Sequence, residues 1–384
     1  MREVRAAAVY IAADRLRTIE EINRARTLAE HITCDEVHYS NSREISWIMQ
    51  HENRTVRTGE KRDSRPTFIL SAFDWTHPLN DPDRPRVYVD NLPGIFTFAD
   101  YRDRQQLLEN KGVACNSAWE IHSAFGCMHS CSYCHIGNYF TIMVDVEKTI
   151  EKLGGLIENN PQQKLYKWDN QSDIMTLEPE YCATKKMVEF FAKTDKTLML
   201  YTKSDNVDHL LDLDHKGNTV VCWTISSDEV ARKHEQGAPS LDARLDAARK
   251  CKEAGYRIRY RFSPLIPIEG WEEGNNEMIR KAMRPENRPE VISIETLCHM
   301  KAEQASRMFR KLAIAPQAEV TEYELFSHED RARIYRLLLS ELKREAPDVV
   351  KALCLETPKM WADLSDLLDG TVDDFYCCCG EDCA

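Results

Sequence analysis

From Trp119 onward, short runs of apolar residues alternate with segments of helical period. The β-rich runs fall at Glu120–Ala124, Leu165–Trp168, Thr197–Thr202, Thr219–Ile225, Arg257–Leu265 and Val291–Leu297. Helical patterns lie between them, at Val144–Glu158, Glu180–Lys193, Leu241–Ala254, Glu272–Met283 and Lys301–Leu312. Ser240 is placed as an N-cap and Gly255 as a C-terminal stop for the third of these helices. Such a series predicts an α/β fold with a parallel sheet. A sheet of this length can curl into a partial or full barrel, with ligands at the C-terminal ends of its strands.

Upstream, Val4–Ile11 reads as a strand and Thr18–His31 as the helix that follows it. The polar stretch 49–66 reads as a surface loop, and the proline-rich stretch 78–93 as an irregular connection. Two late helices are expected at Glu329–Lys343 and Met360–Leu368, before an acidic tail rich in cysteine. The expected organisation is therefore an N-terminal α/β region with an irregular insert (1–115), a partial (β/α)6 barrel (116–325) and a helical C-terminal segment (326–384).

Composition narrows the function. The chain has 384 residues, 42% of them hydrophobic and 30% charged, enough apolar material for a real core. The net charge of −12 counts against a general nucleic-acid binder. No apolar run approaches the ~20 residues of a membrane span, and nothing at the N-terminus reads as a secretory leader, so a cytoplasmic location without membrane contact is expected. Fourteen cysteines are too many for packing alone. In a reducing compartment they point to metals, clusters or redox chemistry. Seven are scattered, at Cys34, Cys115, Cys182, Cys222, Cys251, Cys298 and Cys354. Cys127, Cys131 and Cys134 form one group, and Cys377, Cys378, Cys379 and Cys383 another.

The first group is the strongest chemical signal. Cys127-Met-His-Ser-Cys131-Ser-Tyr-Cys134 sets three thiols within eight residues, just after the first strand of the array. A short loop can wrap three thiolates around three irons of a [4Fe–4S] cluster, leaving the fourth open. A zinc site would need a further ligand, for which His122, His129 and His135 are near in sequence. Three unliganded buried cysteines are the plain alternative.

The C-x3-C-x2-C spacing resembles the radical SAM superfamily, in which the open iron binds S-adenosylmethionine. Within it the chain resembles the spore photoproduct lyase group. The likeness runs from AFGCMHSCSYC (124–134) through Ser172–Asp173–Ile174, Tyr201-Thr-Lys-Ser204, Trp223-Thr-Ile-Ser226 and Glu235-Gln-Gly237. It continues through Ala254–Gly255–Tyr256, Ser263–Pro264, Glu269-Gly-Trp-Glu-Glu-Gly274 and Ile294–Glu295 with His299. The resemblance implies that Cys127, Cys131 and Cys134 ligate the cluster. It puts Ser172, Lys203, Thr224 and Ser263 near S-adenosylmethionine, and makes Tyr133 a catalytic candidate. Lys203 can neutralise the methionyl carboxylate, and strand-end hydroxyls can bind carboxylate or ribose oxygens. An electron donor such as flavodoxin or ferredoxin is the implied partner.

Five features depart from that group, two of them being Met300–Lys301 after His299, where the group tends to have Arg-Phe, and a long insert between about residues 73 and 118. The lyases carry a hydrogen-donating cysteine two residues before the serine matching Ser172, where this chain has Asn170. The tyrosine that follows the last cluster cysteine is replaced by His135. Residues 361–384 hold seven carboxylates and no Lys or Arg, a field expected to repel phosphates.

The terminal run Phe375-Tyr-Cys-Cys-Cys-Gly-Glu-Asp-Cys383 suits a thiophilic species such as zinc, copper(I), a second cluster or trivalent arsenic. Gly380 is expected to turn the chain so that Cys383 faces Cys378 and Cys379. The run resembles that of radical SAM enzymes of arsinothricin biosynthesis. The resemblance implies that Cys378, Cys379 and Cys383 (with Cys377) hold arsenite, a small-molecule substrate that receives a 3-amino-3-carboxypropyl group. Repair of a pyrimidine photoproduct in DNA is the second expectation. A non-catalytic zinc or thiol-metal protein is the third.

Overall fold

The computed structural model describes residues 4–52, 66–75, 86–87, 97–134, 136, 139–309, 311–374 and 376–380. In the first part of the chain the strands are β1 (Val4–Arg5), β2 (Ala8–Ala12), β3 (Ile32–Thr33), β4 (Val37–Ser40), β5 (Thr67–Ser71), β6 (Arg86–Val87) and β7 (Ala99–Arg102). Next come β8 (Ala118–Ile121), β9 (Ala124–Phe125), β10 (Tyr139–Met143), β11 (Leu165–Trp168) and β12 (Thr197–Thr202). The last four are β13 (Thr219–Ile225), β14 (Arg257–Leu265), β15 (Val291–Thr296) and β16 (Val350–Leu353).

Two sheets organise the molecule. A five-stranded sheet runs β4-β2-β5-β10-β9, and a nine-stranded sheet runs β16-β15-β14-β13-β12-β11-β8-β7-β6. Every pairing from β8 to β16 in the larger sheet is parallel. Helices connect these strands, which is the expected α/β alternation. β11, β12, β13 and β14 occupy the predicted positions, and the helix Leu241–Glu253 starts at Ser240, whose side chain accepts from the Ala243 amide. Gly255 follows it with a φ of 92°, a left-handed conformation that closes the helix.

Sheet membership crosses the expected divisions. β7 and β16 join the nine-stranded sheet, whereas β10, only five residues after Cys134, returns to the N-terminal sheet. The stretch 49–66 begins as the end of a helix, Ser42–Glu52, and residues 53–65 lie outside the described residues. Of 78–93 only Arg86–Val87 is described, and it pairs antiparallel with β7. Three of the C-terminal acidic residues are paired with cations. Asp363 pairs with Lys359 and His328 at 2.7 Å, Asp366 with Arg336 at 3.4 Å and Asp369 with Lys351 at 3.2 Å.

One buried carboxylate shapes the exit from β8. Asp169, at the end of β11, accepts the amides of Ser123 (2.9 Å), Ala124 (3.2 Å) and Gln171 (2.9 Å). It also lies 2.9 Å from His122 Nδ1, and Asp100 lies 3.4 Å from His122 Nε2. Burial disfavours a charged imidazole. The Asp169 charge and the contacts to both carboxylates outweigh it and raise His122 to about 9. Because the folded value is raised, the stabilisation is complete below the ordinary histidine range, about 6.5, and is lost as the pH climbs through about 9. The thermal midpoint of the native protein should exceed that of His122→Gln most at about pH 6, by the equivalent of at most about 3 kcal/mol, and the margin should shrink by about pH 10. A margin independent of pH would show that His122 is not held protonated.

Candidate active site

The loop that carries Cys127, Cys131 and Cys134 leaves β9 at the C-terminal end of the large sheet. Its backbone is pinned on both flanks. Gly126 bridges Ser172, the Ser132 amide donates to the His234 carbonyl (2.8 Å), and the Gly237 amide donates to the His129 carbonyl (2.9 Å). The last contact requires glycine. A Cβ at 237 would sit 2.4 Å from the Met128 carbonyl oxygen and 2.8 Å from the His129 carbonyl. His129 also spans from the Gly237 carbonyl (3.2 Å) to Asp173 (2.7 Å). Asp173 in turn accepts Thr202 Oγ1 (2.9 Å) and the Lys203 amide (2.7 Å).

Glu235 is the second anchor. Its buried carboxylate accepts the Tyr133 hydroxyl, Ser226 Oγ (2.8 Å) and the Arg244 guanidinium, and Lys203 Nζ lies 3.5 Å away. Burial alone would raise it, yet the Lys203 and Arg244 charges hold it well below the usual carboxylate range. Tyr133, the catalytic candidate, is thereby tied down as part of the loop's support.

The donor set fits a cluster better than a single metal ion. Both ring nitrogens of His122 face carboxylates, and both of His129 are engaged, so neither imidazole is available as a fourth ligand. His135 lies outside the described residues. Among the described residues no three His, Cys, Asp or Glu side chains gather around one metal-ion position.

The four candidate cofactor residues stand at strand ends on the same side. Ser172 abuts Gly126, Lys203 follows β12, and Thr224 lies near the end of β13. Lys203 is not free, because it shares Glu235 and lies 6.0 Å from the centre of the Tyr133 ring. Ser263 on β14 donates to Glu295 (2.5 Å). A cavity of about 420 Å³ borders the loop, lined by Met128, His129, Thr176, Ser204, Asn206 and Gly237 among others.

The C-terminal cysteines enter from the opposite end. Cys379 and Gly380 line a cavity of about 390 Å³ together with Asn116, Ser117, Lys164 and Leu165, at the starts of β8 and β11. Cys377, Cys378 and Cys379 are all buried inside the curved sheet. Arg259, fully buried on β14, donates to the Cys378 carbonyl at 2.9 Å and the Gly380 carbonyl at 2.5 Å. Gly380 is not in the left-handed region. It is small because a Cβ there would lie 2.9 Å from Asn116 Nδ2. Cys383 lies outside the described residues, and Cys378 does not converge on Cys379 as expected. The Cys378 thiol donates to the Tyr260 carbonyl (3.1 Å), whereas the Cys379 amide donates to Cys377 Sγ (3.4 Å).

A line of contacts joins the two ends. Ser263 and Arg261 both reach Glu295 at 2.5 Å, and Arg261 lies 5.8 Å from the centre of the Tyr201 ring. The Tyr201 hydroxyl lies 3.4 Å from Cys379 Sγ, and Arg102 Nη2 is 3.6 Å from the same sulfur. Hydrogen bonds from the Cys115 and Cys377 thiols hold Cys379 well below the ordinary thiol value; burial opposes them, and Lys167 and Arg102 add to them. Cys115 and Cys222, scattered in the sequence, thus belong to the tail's surroundings. Asn170 donates its amide to Glu120 at 2.5 Å.

Gly237→Ala should displace the cysteine loop, because the clash is with backbone that cannot rotate away. Iron content and visible absorbance after anaerobic reconstitution should fall by about tenfold while the far-ultraviolet circular dichroism stays native. Full iron loading in the variant would mean that the contact does not position the loop.

Comparisons with known proteins agree with this geometry. A profile of the spore photoproduct lyase family matches residues 105–337. Spore photoproduct lyase of Bacillus subtilis (strain 168) is 30% identical over 241 residues, covering 58% of this chain and 70% of that protein. The enzyme of a Geobacillus species is 30% identical over 212 residues, covering 51% and 62%. A solved spore photoproduct lyase complexed with dinucleoside spore photoproduct superposes with a TM-score of 0.62 at 20% identity, covering 91% of this chain and 98% of that one. A mutant with bound AdoMet and dinucleoside spore photoproduct gives 0.63 at 19% identity, covering 92% and 99%. No described helix is long and apolar enough to cross a membrane. With the cysteine loop, the strand-end residues and more than half the chain matched, the protein belongs to the spore photoproduct lyase family of radical SAM enzymes, which use a [4Fe–4S] cluster and S-adenosylmethionine.

Proposed function

We propose that this chain transfers the 3-amino-3-carboxypropyl group of S-adenosylmethionine to a thiophilic acceptor, arsenite, held by its C-terminal cysteines. Cys127, Cys131 and Cys134 are the residues that would hold three irons of the cluster. When bound, cluster and cofactor supply the carbon radical. The chain's own residues do the rest. Lys203 and the hydroxyls of Ser172, Thr224 and Ser263 orient the cofactor from the strand ends. The tail thiols fix the acceptor inside the curved sheet, away from water.

The carrying observation is the burial of Cys377–Cys379 within the sheet that bears the cysteine loop, with Cys379 linked through Tyr201, Arg261 and Glu295 to Ser263. Overall, a carbon–sulfur bond of the sulfonium breaks and a carbon–arsenic bond forms. Two electrons from the donor protein release one of the tail thiolates from trivalent arsenic and leave methylthioadenosine. No hydrogen donor to a carbon product is needed, which agrees with Asn170.

Family membership favours a second reading, cleavage of a pyrimidine photoproduct in DNA, since the similar solved enzymes are named for that substrate. The nucleoside product separates the two. The reconstituted, reduced protein should release methylthioadenosine from S-adenosylmethionine in an arsenite-dependent manner. Cys379→Ser should lower that turnover at least about tenfold and keep the cluster absorbance. Release of 5′-deoxyadenosine alone, stimulated by dinucleoside photoproduct, would replace transfer with repair. A colourless protein that binds only zinc would remove both.

A further inference from the structure

The tail cysteines do not share one environment, and the difference identifies the ligand set. Cys378 faces β13 to β15. Its amide donates to Ser293 Oγ at 2.9 Å, and its thiol meets the Tyr260 carbonyl and the Cys222 thiol. Cys377 and Cys379 face the other way. The Cys379 amide donates to Cys377 Sγ at 3.4 Å, Asn116, the neighbour of Cys115, donates to the same sulfur at 3.1 Å, and the Cys115 and Cys377 thiols are the groups that most influence the Cys379 sulfur. Cys115 lies far from the tail in sequence, between the helix Arg104–Lys111 and β8, and is 2% exposed.

The surroundings of this trio suit bound thiolates. Asn116 Nδ2 donates to Cys377 Sγ at 3.1 Å, Tyr201 and Arg102 approach Cys379, and the buried Arg102 Nε has no hydrogen-bond partner. The cavity that reaches Cys379 is bordered by exposed Gln162 and Tyr376, which gives a small solute access from the surface. Trivalent arsenic takes three soft ligands in a pyramid, and thiolates are the softest that a protein offers.

We propose that Cys115, Cys377 and Cys379 are the three ligands of trivalent arsenic, with Cys378 outside the set. This rests on the reading of a thiophilic acceptor given above. Three sulfur–hydrogen and three arsenic–oxygen bonds break, three arsenic–sulfur bonds form, and three waters leave without change of oxidation state. In the ligand-free chain the sulfurs meet pairwise through Cys379 and are not gathered around one point. Binding therefore turns the Cys115 and Cys377 side chains toward a common centre.

The test uses the full-length, cluster-loaded protein without air, with sodium arsenite as the probe. Arsenic retained after desalting is counted by elemental mass spectrometry, and its sulfur ligands by X-ray absorption. The native protein should hold one arsenic on three sulfurs. Cys115→Ser and Cys377→Ser should each lower retention at least about tenfold, with iron content and circular dichroism unchanged, while Cys378→Ser retains it. Retention by Cys115→Ser, with loss in Cys378→Ser or Cys383→Ser, would overturn this ligand set and leave the acceptor reading standing. No arsenic on the native protein would end both.

Discussion

A single buried carboxylate, Glu235, sets the position of the cysteine loop. It binds Tyr133 from the loop, Ser226 from the end of β13 and Arg244 from the helix Leu241–Glu253, with Lys203 beside it. Isolated, such a charge would be costly. Two cations and two hydroxyls repay the desolvation, so the carboxylate stays ionised. Loss of either cation leaves a charge at 0% exposure only partly compensated, which is why the loop, two strands and a helix are bound into one unit. Lys203 is consequently a shared cation. It can meet a cofactor carboxylate only while also answering Glu235, and that fixes where its ammonium stands.

The larger sheet brings two chemistries to one interior from opposite ends. The cysteine loop and strand-end hydroxyls stand at the C-terminal mouth, where ligands of parallel α/β folds collect. The thiols of the tail stand at the N-terminal mouth, a place that in such folds usually serves stability. Family membership fixes the fold and the cofactor but not the acceptor, because acceptor chemistry resides in residues placed on the fold. Asn170 and the buried tail are candidates for such residues.

Much of the barrel was legible in the sequence. β11 to β14 are buried on nearly every residue, so they read as continuous apolar runs between caps and glycines. β16 was not legible, because Val350-Lys-Ala-Leu353 is short and carries a lysine that is buried only through Asp369 and nearby carbonyls. β10 was hidden for another reason: its partners β5 and β9 flank it from distant and antiparallel positions that no local period encodes. The grouping of Cys127, Cys131 and Cys134 in one loop was legible from spacing alone. The company of Cys115 and Cys222 was not, since each is an isolated cysteine whose neighbours arrive from the last ten residues. The partners of Asp363, Asp366 and Asp369 were hidden for the same reason: their cations come from other elements or from another turn of helix.

The electrostatics of the interior favour a thiolate at Cys379 over a second carboxylate there. Glu120 alone answers two cations, Arg102 at 3.0 Å and Lys167 at 2.5 Å, and those charges hold it down at about 2 despite burial. Arg261 is matched by Glu295, and Arg259 by Glu290. Arg102 and Lys167 therefore share one carboxylate, as Arg257 and Arg259 share Glu290, and the Cys379 sulfur lies 3.6 Å from Arg102. A thiolate at that position balances the interior without bringing in water, and it is the protonation state that a soft, trivalent acceptor demands of its ligands.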